Sequence, residues 1–184
     1  MIFYLQNTIL NPYLWMLFIL GLFIGSFLNV CIFRIPENNF FHTIRSHCRN
    51  CGTLIPFYLN IPIISFLILR GKSKCCNTPI SYQYPIIELI TAILFVFIFL
   101  KIPFITINNN SASLYIPQMI RYLHMVIFIC ILLICSVIDL KHMIIPDILT
   151  IPMIILSPLI AIIHPELTIK SSLVGIILGG GILY

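Results

Sequence analysis

One apolar stretch constrains this chain more than any other feature. Residues 12–33, PYLWMLFILGLFIGSFLNVCIF, carry no formally charged side chain over 22 positions. At ~1.5 Å per residue, a helix of that length crosses a ~30 Å hydrocarbon layer. The rest of the chain agrees: 60% of its residues are apolar, 8% are charged and the mean hydropathy is +1.12. That leaves too little polar surface for a water-soluble domain, and the high apolar content excludes intrinsic disorder. A signal-peptide reading of the stretch is disfavoured, because no basic residue precedes it and it ends in Arg34-Ile35-Pro36 instead of a small-residue cleavage site.

Further spans are expected at roughly 84–100, 118–138 and 143–163, each bounded by Pro, Lys, Arg or His. A fifth begins near Ser171 and runs fourteen residues to Tyr184, short of the ~20 that a crossing takes, so the chain reads as ending inside a helix. The expected fold is all-α: a polytopic integral membrane protein with about four full transmembrane helices, a partial fifth and a cysteine-containing loop. Six of the ten Lys and Arg residues lie between Arg34 and Lys74, which places the 34–83 loop in the cytoplasm by the positive-inside rule. A net charge of +5 from few, clustered bases fits membrane orientation, with lipid as a partner and no nucleic acid. Gly21 and Gly25 are four apart, a spacing that lets a second helix approach closely; ordinary membrane glycines are the equal alternative.

Four of the seven cysteines share that loop: Cys48 and Cys51, then Cys75 and Cys76. A Cys-x-x-Cys turn presents two sulfurs to one metal, so the set suggests a tetrathiolate zinc site. The second pair is irregular, because adjacent side chains on an extended segment diverge, and it supplies one ligand or two. Four unligated thiols are the competing reading, and a disulfide is disfavoured in a reduced compartment. Cys31, Cys130 and Cys135 lie in apolar spans as small buried hydrophobes. Between the pairs, Ile63 to Leu69 is apolar but too short to span, and suits a segment in the membrane interface, closed by Arg70, Lys72 and Lys74. Those bases either hold the loop to anionic lipid or meet an anionic substrate or cofactor.

The chain has five acidic residues: Glu37, Glu88, Asp139, Asp147 and Glu166. Carboxylates are costly in apolar spans, which makes them functional candidates there. Asp139 and Asp147 flank the hinge 140–146 and are the candidate catalytic pair. Two close carboxylates resist double ionisation, so one activates water while the other, protonated, serves the leaving group. Helix N-capping is the alternative for Asp147, which follows Pro146. Glu88, His124 and His142 are expected outside the site.

An ordered string of motifs resembles one family. Gly25-Ser26-Phe27-Leu28-Asn29-Val30, Arg34-Ile35-Pro36, Cys48 with Cys51, Asn60-Ile61-Pro62, Leu69-Arg70-Gly71-Lys72, Pro79-Ile80-Ser81 and Tyr84-Pro85 with Glu88-Leu89 resemble the N-terminal domain of the type IV prepilin leader peptidases. Ile138-Asp139-Leu140, Ile145-Pro146-Asp147 and Leu149-Thr150 resemble the start of their aspartyl peptidase domain. The resemblance implies an enzyme of the bacterial inner membrane that cuts the basic leader from prepilins and pseudopilins, then methylates the new N-terminus with S-adenosylmethionine. Under it, Asp139 is the first catalytic aspartate, Gly71 and Lys72 belong to methyl transfer, and Cys48, Cys51 and Cys76 match three of four loop cysteines. The family's third loop cysteine falls on Ser73, with Cys75 as a substitute nearby. The family's second aspartate lies in a downstream Gly-x-Gly-Asp motif; Gly179-Gly180-Gly181 is followed by Ile182, so the chain as given is expected to be inactive as a peptidase. The alternative is a non-catalytic membrane module that binds prepilin or serves pilus or secretion assembly. The expected domains are 1–101, a linker at 102–118, and an incomplete peptidase domain at 119–184.

Overall fold

The structure is a computed structural model, and it describes residues 12–37, 48, 50–108, 111–163 and 168–183. In chain order it comprises α1 (Pro12–Arg34), a 3-10 turn (Phe57–Asn60), α2 (Ile64–Ile68), α3 (Gln83–Lys101), β1 (Ile105–Asn108), β2 (Ser111–Leu114), α4 (Ile116–His142), α5 (Asp147–Ile163) and α6 (Ile169–Leu183). The chain is mostly helical and membrane-spanning, as its composition requires. Three described helices, α1, α3 and α4, are long and apolar enough to cross a bilayer. The chain divides into two compact units, residues 1–97 and 98–184.

In the first unit, α1 is apolar on every side, so polarity alone does not choose its buried face. Size chooses it. Leu17, Gly21, Gly25, Leu28, Asn29 and Ile32 recur at helical spacing and are buried, whereas Trp15, Ile19, Phe23 and Phe27 stay exposed on the other side, where lipid is the natural solvent. A Cβ at Gly21 would lie 2.6 Å from the Ala92 Cα, and one at Gly25 would lie 2.7 Å from the Glu88 Cα. Both glycines therefore serve close backbone approach to α3, the first of the alternatives that their spacing left open. Asn29 reinforces the contact by donating its side-chain amide to the Tyr84 carbonyl at 3.1 Å, and the Phe33 and Tyr84 rings stack at 5.3 Å.

In the second unit, residues 102–118, expected as a linker, contain an antiparallel hairpin pairing Ile105 with Leu114 and Asn108 with Ser111. Below it, Phe104 packs against Phe99 and Tyr122, with ring centroids 5.1 and 4.9 Å away. Both strands, ITIN and SASL, alternate apolar and polar residues, but each is only four residues long, so the alternation is a weak signal in the sequence. α4 runs to His142, past the expected end at 138, and stops because Met143 turns left-handed (φ 54, ψ 37) and returns its N–H to the Asp139 carbonyl. The next helix consequently starts at Asp147 and has 17 residues, fewer than the full span expected over 143–163. Its interior Pro158 lacks the N–H that would serve the Ile154 carbonyl. The Ser157 hydroxyl serves it instead, donating at 3.1 Å, and accepts in turn from Ser172 on α6 at 3.3 Å.

Candidate functional site

The loop of the first unit brings its thiols together. Cys48, Cys51, Cys75 and Cys76 place their sulfurs within 4.8 Å of one another. The Sγ separations are 3.7 Å for Cys48 and Cys76, 3.8 Å for Cys75 and Cys76, and 3.1 Å for Cys51 and Cys75. Four sulfurs around one tetrahedral zinc at ~2.3 Å would stand ~3.8 Å apart, so the set fits a thiolate-bound metal. Cys75 and Cys76 do not diverge, because they sit in a turn and not on an extended segment. All seven cysteines are free thiols.

Two tight turns build the cluster. In the first, the Cys48 N–H donates to the Thr53 carbonyl at 2.8 Å and the Gly52 N–H to the Cys48 carbonyl at 2.8 Å. Gly52 has φ +69, a conformation that glycine adopts without cost. The second turn is closed by an Ile80 N–H bond to the Gly71 carbonyl at 2.7 Å and a bridge between Lys72 and Pro79.

The hydroxyls around the sulfurs set their charge. Ser73 and Thr78, each with its oxygen 3.1 Å from the Cys76 sulfur, bring that thiol down to about 5. The Thr53 hydroxyl, 3.2 Å from Cys51, lowers that thiol as well. Cys75 is pushed up to about 12, mainly by its hydrogen bond with Cys51. Cys76 is thus biased toward the thiolate, the form in which a cysteine binds a divalent metal. Thr53 and Thr78 were not singled out in the sequence; each lies two residues after a loop cysteine, the signal that could have found them.

Gly71 and Lys72 follow α2. Gly71 has φ +69, and a Cβ there would press the Phe66 ring at 3.2 Å; Lys72 is exposed beside it. The segment leading in is fixed by a group expected outside any site. Glu88 is 5% exposed, and its Oε2 accepts the Ile63 N–H at 2.7 Å. Ile63 (φ 57, ψ −48) is the centre of a strained γ-turn in which the Ile64 N–H returns to the Pro62 carbonyl. α2 then exposes Leu67 and Ile68, 67% and 71% accessible, as an interfacial segment would.

In the second unit, Asp139 lies in the last turn of α4 and Asp147 opens α5; both side chains are exposed. Asp147 is not an N-cap, the alternative reading of its sequence position. Pro146 takes that place, its carbonyl accepting the Thr150 N–H at 3.3 Å, and Asp147 sits in the first turn, where the helix dipole favours a carboxylate.

Apolar spans, a loop that gathers four thiols and carboxylates at a helix junction define a membrane-embedded protein with a cysteine cluster and an acidic hinge. Residues 19–102 match the Bacterial Peptidase A24 N-terminal domain, and residues 126–184 match the Type IV leader peptidase family. The chain belongs to the type IV leader peptidase family. It is 33% identical over 171 residues to the prepilin leader peptidase/N-methyltransferase of Vibrio cholerae, covering 89% of this chain and 62% of that protein. It is 34% identical over 179 residues to the type 4 prepilin-like proteins leader peptide-processing enzyme of Escherichia coli, covering 86% of this chain and 61% of that protein. The Myxococcus xanthus prepilin leader peptidase/N-methyltransferase is 48% identical over 79 residues, 43% of this chain and 24% of that protein. The chain spans about 60% of the length of the relatives it matches most fully. No solved structure matches it.

Proposed function

We propose that the chain is part of a bifunctional enzyme of the bacterial inner membrane that removes the leader from prepilins and pseudopilins and methylates the new N-terminus. The observation that carries this reading is the order of the two matches, the N-terminal domain at 19–102 and the peptidase at 126–184, with Asp139 at the end of a spanning helix inside the second.

In this reading Asp139 is one carboxylate of an aspartyl pair, and Asp147, across the short hinge, is its candidate partner within these residues. The ionised member takes a proton from water, the hydroxyl attacks the scissile carbonyl, and the protonated member delivers its proton to the leaving amine. The junction of α4 and α5 supports this role. The Met143 N–H bond to Asp139 holds the backbone at the helix end while leaving the side chain accessible to a substrate.

S-adenosylmethionine, when bound, supplies the methyl group to the freed amine. Gly71, bare of a side chain beside Phe66, and Lys72 are the residues assigned to that step, and the cytoplasmic face is assigned to the loop that bears them. Cys48, Cys51, Cys75 and Cys76 would hold a zinc ion, which would clamp the two turns and so fix the stretch of loop that carries Gly71 and Lys72.

The test is complementation. The gene as it stands in its genome, expressed in a host lacking its own prepilin peptidase, should restore cleavage of a prepilin, and Asp139→Asn should remove it with the protein still present in the membrane. Restored cleavage that survives Asp139→Asn would sink the assignment.

A further inference from the structure

The two turns of the cysteine loop share one backbone pattern. Residues 48–53 read Cys-Arg-Asn-Cys-Gly-Thr, and residues 73–78 read Ser-Lys-Cys-Cys-Asn-Thr. In each, the N–H of the first residue donates to the carbonyl of the sixth at 2.8 Å: Cys48 to Thr53, and Ser73 to Thr78. In each, the N–H of the fifth donates to the carbonyl of the first, Gly52 to Cys48 at 2.8 Å and Asn77 to Ser73 at 3.0 Å. The fifth residue has positive φ both times, 69 for Gly52 and 56 for Asn77; glycine and asparagine are the residues that tolerate it best. The fourth residue carries a thiol both times, Cys51 and Cys76.

By this register Ser73 occupies the place that Cys48 holds in the first turn. A neutral serine hydroxyl is a poor substitute for a thiolate on zinc. Its oxygen lies 3.1 Å from the Cys76 sulfur and 3.0 Å from the Thr78 hydroxyl. The missing sulfur is supplied from elsewhere in the same turn. Cys75, the counterpart of Asn50, brings its Sγ within 3.1 Å of Cys51 and 3.8 Å of Cys76.

We propose that the ligand set of this loop has been permuted: Cys75, from the tip of the second turn, is the fourth metal ligand, and Ser73, in the vacated ligand place, is a positioning residue that hydrogen-bonds the Cys76 sulfur. The inference rests on the metal reading above and concerns which side chains of this chain hold the ion. Three ligands sit at the anchored first and fourth places of their turns. Cys75 does not, and it is exposed, which makes it the ligand most easily released.

Cobalt(II) bound to the purified chain in detergent reads the ligand count directly, because the thiolate-to-metal charge-transfer band scales with the number of sulfurs. Cys75→Ser should still bind cobalt but lose about a quarter of that intensity, one sulfur of four. Ser73→Cys in the Cys75→Ser background should restore the four-thiolate spectrum, because the new thiol enters the place matching Cys48. Ser73→Ala should keep the four-thiolate spectrum and bind the metal ~10-fold more weakly, as loss of a supporting hydrogen bond does. Full intensity in Cys75→Ser, or no recovery in the double variant, would overturn the permutation. A wild-type chain that takes up no cobalt would overturn the metal reading itself, an outcome distinct from a wrong ligand.

Discussion

Glu88 accepts the backbone N–H of Ile63 at 2.7 Å, linking a buried position on α3 to the most strained residue of the cysteine loop. A β-branched residue at φ 57 costs about 1–3 kcal/mol and persists only where its surroundings impose it. The carboxylate is one such constraint. Removing the acceptor leaves a part-buried donor unpaired, at about 1–3 kcal/mol. Glu88→Ala should therefore lower the thermal stability of the detergent-solubilised protein and hasten proteolysis between residues 57 and 72, whereas Glu88→Gln, whose carbonyl still accepts, should do so far less. Equal behaviour of the two variants would refute the hydrogen-bond explanation.

The glycines of α1 yield a contrast within one protein. At Gly21 and Gly25 the nearest obstacle to a Cβ is backbone, 2.6 and 2.7 Å away, whereas Gly175 on α6 has nothing within 4 Å. Gly21→Ala and Gly25→Ala should each destabilise by about 1–3 kcal/mol, the usual cost of overpacking. Gly175→Ala should be neutral or slightly stabilising through helix propensity. Denaturant titration followed by tryptophan fluorescence of Trp15 on α1 would read the first pair directly.

Ser157 caps the carbonyl that Pro158 leaves open and accepts from Ser172. Ser157→Ala should cost ~1 kcal/mol, with Ser172→Ala costing less, because the Ile154 carbonyl keeps its partner in the second variant. Thermal unfolding of the two variants side by side would check the order.

Metal removal should act on the loop and spare the spans. Purified protein should carry about one zinc per chain, and its removal by a chelator should expose residues 48–80 to protease while helical circular dichroism stays unchanged. Loss of helix on chelation would show that the thiol cluster supports the spans themselves.

Much of this protein was legible before its fold. The uncharged run at 12–33 could only be a span, since backbone polar groups in lipid must be satisfied within the helix, and the loop cysteines were marked by their own spacing. Fold class and family follow from those two signals and from the motifs strung between them. Three things needed the tertiary structure. Glu88 looked peripheral because its partner, a backbone N–H 25 residues away, leaves no trace in composition. Gly21 and Gly25 became contact residues only once Ala92 and Glu88 stood against them. Cys75 and Cys76, expected to diverge, bring their sulfurs into one cluster because a turn can bring adjacent side chains to one point when a strand cannot. Sequence sets local conformation and solvent preference, which are properties of neighbouring residues. The roles of these side chains are set by distances across the fold.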